Sequence, residues 1–254
     1  MLGAFLRVGI LIVFVTILLN FLGPPVGILL TAMKVTKARP AVKITPIALA
    51  DHSISNSPGR TLSYFGYEFA VPWNAIPTEK VLNKISFVHL KFESGQDLIF
   101  SVPGNKGLLT EIVEDPSLNM GGLRLVFGDL TKRSAYEQYQ ALLNTTPQSI
   151  RAFGPRAEAA GGVTLLTIKA IAFGPGLESG VFSFELPDKR GFQIGDPQKS
   201  KRVDLEVFDS AGRRVEILCE STNPNVPISQ QEINRILSSL HAVAAPAQLA
   251  AFQK

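Results

Sequence analysis

The sequence predicts an α+β fold class: an N-terminal transmembrane helix followed by an antiparallel β-sheet domain flanked by helices, an α/β/α sandwich. Three observations carry this. Val8–Met33 is a run of 26 residues without a charge. Several later segments alternate apolar and polar residues in pairs joined by turn residues, as hairpins do. Two Ser-x-x-Glu boxes open segments with helical apolar spacing.

The N-terminal run comes first. Val8–Leu22 is apolar apart from Gly9, Thr16 and Asn20. A bilayer core of about 30 Å needs about 20 helical residues, which places a span near residues 2–22. Pro24 and Pro25 then break or kink the helix, and Val26–Met33 continues as a short apolar segment, at the interface or kinked within the membrane. A cleaved signal peptide is the competing reading. The small-x-small triplet Ala48-Leu49-Ala50 lies too far past the apolar run for that. Lys34, Lys37, Arg39 and Lys43 form a juxtamembrane basic cluster suited to anionic lipid. They also favour a cytoplasmic body by the positive-inside rule, but the short N-terminal tail favours an extracytoplasmic one, which is the orientation expected, with a cytoplasmic body as the alternative. Residues 34–60, with Pro40, Pro46 and Pro58, read as a linker.

The body is expected over 61–241. Leu62–Val71, rich in Tyr and Phe, reads as a strand ending at Pro72-Trp73. Ile85–Phe92 and Leu98–Val102 flank Ser94-Gly95-Gln96 as a hairpin. Leu108, Leu109, Ile112 and Val113 have helical spacing up to Pro116, and Leu123–Phe127 suits a short strand. Ser134-x-x-Glu137 caps a helix with Tyr136, Tyr139 and Leu143 on one face. Thr146-Pro147 restarts a helix, with Ile150 and Phe153 turned inward. Val163–Phe173, apolar on both faces, reads as a central strand. Phe182, Phe184 and Leu186 alternate with polar residues, and Val203–Val207 and Val215–Cys219 form a hairpin around Asp209–Gly212. Ser229-x-x-Glu232 opens an amphipathic helix with Ile233, Ile236, Leu237 and Leu240 on one face. Residues 242–254 read as a flexible tail.

Some of these residues resemble the Mog1/PsbP-like fold. Tyr67-Glu68-Phe69-Ala70-Val71-Pro72-Trp73 is similar to that group's opening aromatic-x-aromatic-x-Val-Pro stretch. The helix at 134–143, the hairpin at 203–219 and the helix from Ser229 to Leu240 fall where its middle helix and closing elements would. The resemblance covers residues 61–241, and the chain departs from the pattern by extra residues around 103–130. It implies a non-enzymatic accessory or binding module and assigns no catalytic residue.

Composition narrows the function classes. The chain has 254 residues, 46% hydrophobic and 18% charged, with a net charge of +4. Residues 1–43 carry five basic residues and no acidic one, so the remainder is net −1. The basicity is therefore not on the folded body, which argues against a nucleic-acid partner. A single cysteine, Cys219, excludes an internal disulfide framework, and it reads as a core thiol. His52, His89 and His241 have no ligand-spaced neighbours, so no metal site is expected. Gly174-x-Gly176-x-x-x-Gly180 misses the dinucleotide fingerprint, and Gly104-Asn105-Lys106-Gly107 lacks the Walker spacing. Neither a cofactor nor a catalytic residue is assigned. The aromatic cluster around Tyr64, Tyr67 and Trp73 suits a core, with a partner-facing surface as the other reading.

The expected function is a single-pass membrane-anchored accessory or binding domain at the cell membrane. Its partners would be the lipid bilayer and a membrane or envelope protein. A membrane-tethered enzyme of unrecognised family and a structural subunit of an envelope complex are the other readings.

Overall fold

The computed structural model describes residues 24–57, 59–73, 77–83, 86–104, 107–110, 126–152, 155–173, 176–223 and 225–243. The helices are α1 (Pro24–Ala38), α2 (Ala135–Asn144), α3 (Arg156–Ala172), α4 (Gly176–Ser179) and α5 (Gln230–Ser239). The strands are β1 (Ile47–Ala48), β2 (Arg60–Tyr64), β3 (Tyr67–Val71), β4 (Thr78–Leu82), β5 (Phe87–Lys91) and β6 (Gln96–Gly104). They continue with β7 (Val181–Leu186), β8 (Lys189–Ile194), β9 (Arg202–Asp209), β10 (Arg214–Ser221) and β11 (His241–Ala242).

Eight strands form one sheet in the order β1-β7-β8-β9-β10-β6-β5-β4. Every neighbouring pair is antiparallel except β1 with β7, which is parallel. A second sheet, β11-β3-β2, covers one of its faces together with α5. The alternation in β9 and β10 explains the join: Val203, Leu205, Val207, Val215, Ile217 and Cys219 all point to that side. There they meet Phe69, Phe100, Ile233 and Ile236, each fully buried. The Phe69 and Phe100 rings stack at 4.8 Å. On the opposite face Phe192, Ile194 and Phe208 pack under Leu109, Tyr139, Leu142 and Ile168 from α2, α3 and the turn before them. A third cluster joins α3 outward to α1 through Val163, Leu166, Ala170, Ile28 and Ala32.

The architecture corrects the expected fold class. The content is α+β with a large sheet, but its covering layers are a second sheet on one side and stacked helices on the other. Among the described residues no helix is long and apolar enough to cross a membrane. The expected span at 2–22 lies outside the described residues. The part of the apolar run that is described, from Pro24 on, forms α1, a helix of 15 residues with one face packed on α3. Pro24 and Pro25 fall in its first turn, where a residue needs no helical partner for its N–H.

Other expectations change for identifiable reasons. Val163–Phe173 is not a strand but the second half of α3. Its apolar residues are not segregated because the helix is buried on both sides, with Leu165 and Ile168 toward the sheet and Val163 and Leu166 toward α1. An apolar run of that length does not distinguish helix from strand. Gly161 lets the chain approach closely: a Cβ there would lie 2.7 Å from the Val126 carbonyl oxygen. Leu62–Val71 is a hairpin, not one strand. Phe65 and Gly66 both have positive φ (52° and 82°), which makes a two-residue reversal between β2 and β3. Phe127 is helical, while residues 123–125 lie outside the description, as do Ile112, Val113, Phe153 and the tail beyond 243.

Residues 34–60, read from the sequence as a linker, are largely seated on the body. Val42 in the 3₁₀ turn Pro40–Lys43 is fully buried and Leu49 nearly so. Ile47 and Ala48 pair with β7. The Asn234 amide then donates to the carbonyls of Asp51 and Ser53 at 2.8 Å each. Lys169, fully buried in α3, donates to the carbonyls of Ile44, Leu143 and Thr145 at 2.6, 2.6 and 3.0 Å. Burial lowers its pKa to about 8. The Lys169 bonds fix the strap to α2 and α3, and the Asn234 bonds fix it to α5.

Candidate functional site

The surface feature that demands explanation is the outward face of α1. The helix carries two apolar stripes on opposite sides. Ile28, Thr31, Ala32 and Val35 face α3 and are buried or half-buried. Val26, Leu29, Leu30 and Met33, at i, i+3, i+4 and i+7, face away and are 57%, 40%, 40% and 66% exposed. Eight large apolar side chains stand out as exposed among the described residues, and these are four of them. Single exposed apolar residues are ordinary, but a contiguous stripe marks a contact surface. Fully covering a Val, Leu or Met side chain is worth about 1.5–3 kcal/mol, so this stripe favours an occupant by several kcal/mol.

The charge beside the stripe has one sign. Lys34 and Lys37 follow in the last turns of α1, where a cation also suits the helix dipole. Arg39 and Lys43 bracket the 3₁₀ turn. All four are exposed, and the first acidic residue of the chain is Asp51. The structure thus brings the four predicted basic residues to the end of an exposed apolar stripe. Between α1, the 3₁₀ turn and Pro147-Gln148 runs an open groove of about 490 Å³. Leu29, Met33, Pro40 and Pro147 supply apolar walls, and Lys37 and Lys43 line it too. Thr36 binds back to the Ala32 carbonyl at 2.7 Å, so its hydroxyl is already engaged.

The predicted aromatics are placed elsewhere. Tyr67 and Trp73 are core residues, 2% and 5% exposed. The Tyr67 hydroxyl donates to Asp209 at 2.9 Å and the Trp73 indole N–H to Glu232 at 3.1 Å. Tyr64 is half-buried with its hydroxyl on Glu79. The buried polar tips are satisfied, as large aromatics in a core require.

Among the described residues, the most buried cluster of titratable groups lies on the sheet face under α2. Arg214 donates to Glu216 at 2.7 Å and lies over the Tyr139 ring. Arg202 binds Asp204 with its Nε and Nη2. Glu206, 8% exposed, sits 4.0 Å from Arg214 Nε. Burial first, and the neighbouring Glu216 second, hold its carboxyl well above the ordinary range. A raised carboxyl can serve as a general acid. Here its neighbours are cross-strand partners packed beneath a helix, which is the arrangement of a structural cluster.

His89 lies 3.0 Å from Asp97, His241 touches the Ser239 carbonyl at 2.8 Å, and His52 is exposed in the strap. Cys219 is fully buried, and burial pushes its thiol up, which removes thiolate character. Among the described residues no group of three His, Cys, Asp or Glu could hold a metal ion. Sequence reasoning missed the outward stripe of α1, although the spacing 26, 29, 30, 33 was present. Within an all-apolar run, which side faces outward is decided only by what the other side packs on.

Compared with known proteins, the chain matches no protein-family model, no curated protein and no solved structure.

Proposed function

We propose that this chain is a binding module of a bilayer surface, docked through the outward face of α1. The observation that carries the reading is the stripe Val26, Leu29, Leu30, Met33 ending in Lys34 and Lys37. A helix with a bare apolar side and cations at its edge fits the boundary between acyl chains and anionic headgroups. The uncharged residues 8–23 lead directly into this helix, which favours a lipid occupant over a soluble one.

Depth-dependent quenching tests the docking. Cys219 is fully buried, so a thiol-reactive fluorophore on Met33→Cys labels one site. Added vesicles carrying spin-labelled acyl chains should quench it, and should leave the same label on Ser238→Cys unquenched. Equal quenching at both positions, or none at 33, overturns the reading.

A further inference from the structure

We infer that the groove beside α1 is a binding site for one anionic phospholipid, with Lys37 and Lys43 holding the headgroup. The inference rests on the docking reading above and adds a ligand to it. Three observations meet at this place. The walls contributed by Leu29, Met33, Pro40 and Pro147 are apolar and open to solvent. Leu29 and Met33 belong both to the groove and to the outward stripe, so the groove opens onto the surface that meets acyl chains. The charged groups in the lining are the ammonium groups of Lys37 and Lys43, with the neutral Gln148 beside them, and no Asp or Glu lines the groove.

The geometry favours a phospholipid over a free anion. An isolated phosphate would find two exposed lysines and no buried donor, a site that salt screens readily. A lipid adds apolar contact along the groove, which is not screened. An acyl chain without a charged head would leave Lys37 and Lys43 beside an apolar ligand, with nothing gained from their positive charge. The combination selects a ligand with both parts. Lysine is suited to this as a point charge on a flexible stem, which follows a headgroup without demanding bidentate geometry. A groove of this volume is within the usual range for a small-molecule site.

The test uses the full chain, released from neutral detergent and analysed by native mass spectrometry after mixing with phosphatidylglycerol or phosphatidylcholine. The wild-type chain should retain one phosphatidylglycerol with about a tenfold preference over phosphatidylcholine, as expected for one to two lysines at a lipid surface. Lys37→Gln with Lys43→Gln should reduce the preference to about unity. Lys199→Gln with Lys201→Gln, an equal loss of charge on exposed residues of the β8–β9 turn, should leave it unchanged. Inorganic phosphate at equal concentration should not displace the lipid. Equal retention of both lipids, a preference that survives the Lys37/Lys43 change, or displacement by phosphate overturns the site. If the label at position 33 is still quenched by zwitterionic vesicles, docking stands and only the headgroup site fails. If the label is not quenched, the docking reading itself has failed.

Discussion

The two sides of the large sheet differ in what their outermost helices leave exposed. On the α5 side apolar groups lie inside and polar groups outside. Ile233, Ile236, Leu237 and Leu240 are buried, while Gln231 and Ser238 are exposed. The helix start is closed by a reciprocal box, in which the Ser229 N–H donates to Glu232 at 2.7 Å and the Glu232 N–H to Ser229 Oγ at 3.3 Å. On the α1 side an apolar layer around Phe192, Ile194, Phe208 and Leu142 is also inside, but buried charges share that interior and the outermost helix bares an apolar stripe. Glu206, Arg214 and Lys169 are buried under helices, whereas Leu30 and Met33 face out. A side that is finished in the ordinary way needs no partner. The α1 side ends in a helix with an apolar stripe on its outward face as well as its inward one, and that is the physical content of the docking proposal.

Several changes would break or sharpen this contrast. The largest effect is expected at the core of the closed side: Ile236→Ala should lower the unfolding free energy by about 2–5 kcal/mol in denaturant melts. Ser229→Ala, which removes the cap of the same helix, should cost about 1 kcal/mol. On the other side Leu30→Ala should change stability by less than about 0.5 kcal/mol, because that side chain is exposed, while weakening vesicle binding. A loss comparable to Ile236→Ala would mean that the stripe is covered within the chain.

Glu206→Gln probes the charged interior with a defined sign. Its folded pKa is raised from the ordinary 4.5, so between that value and the folded one the native state binds more protons than the unfolded chain. Wild-type stability therefore falls as pH rises through that window. The glutamine variant lacks this slope and should be the more stable of the two at neutral pH. Melts of both proteins across pH 4–8 check the sign; parallel curves would show that Glu206 titrates normally.

Legibility in the sequence followed the same division. The hairpin of β9 and β10, the caps at Ser134 and Ser229, the inward face of α5 and the buried Cys219 could be read in advance. The two capped helices have one wet side, where periodicity records burial, and β9 and β10 keep the alternation because their second face carries Asp204, Glu206, Arg214 and Glu216 even though helices cover it. α3 could not be read, since both of its sides are buried. The strap from Pro40 to Ser57 was obscured by its prolines and serines. Its attachment depends on strand pairing and on Asn234, which is distant in sequence. Strand β8 contains Gly191 and Arg190, which weaken the strand pattern. Gly191 is required there because a Cβ would lie 2.0 Å from the Glu206 carbonyl oxygen. For the candidate site, the four basic residues were legible as a cluster. Tyr67 and Trp73 were distinguishable as core residues only once the small sheet had been placed.

The strap has a mechanical consequence. It leaves α1 at Arg39, crosses the sheet edge at β1 and ends on α5, where Arg235 holds the carbonyls of Ser55 and Ser57 and the Ser55 N–H reaches the Gln231 carbonyl at 3.1 Å. The outermost helices of the two sides are thus the ends of one tether wrapped around the body. With α1 seated on a surface, the body could not swivel like a float on a line. It would stand at a set angle, with α5 turned away from the surface, so that torque on one helix is delivered to the other.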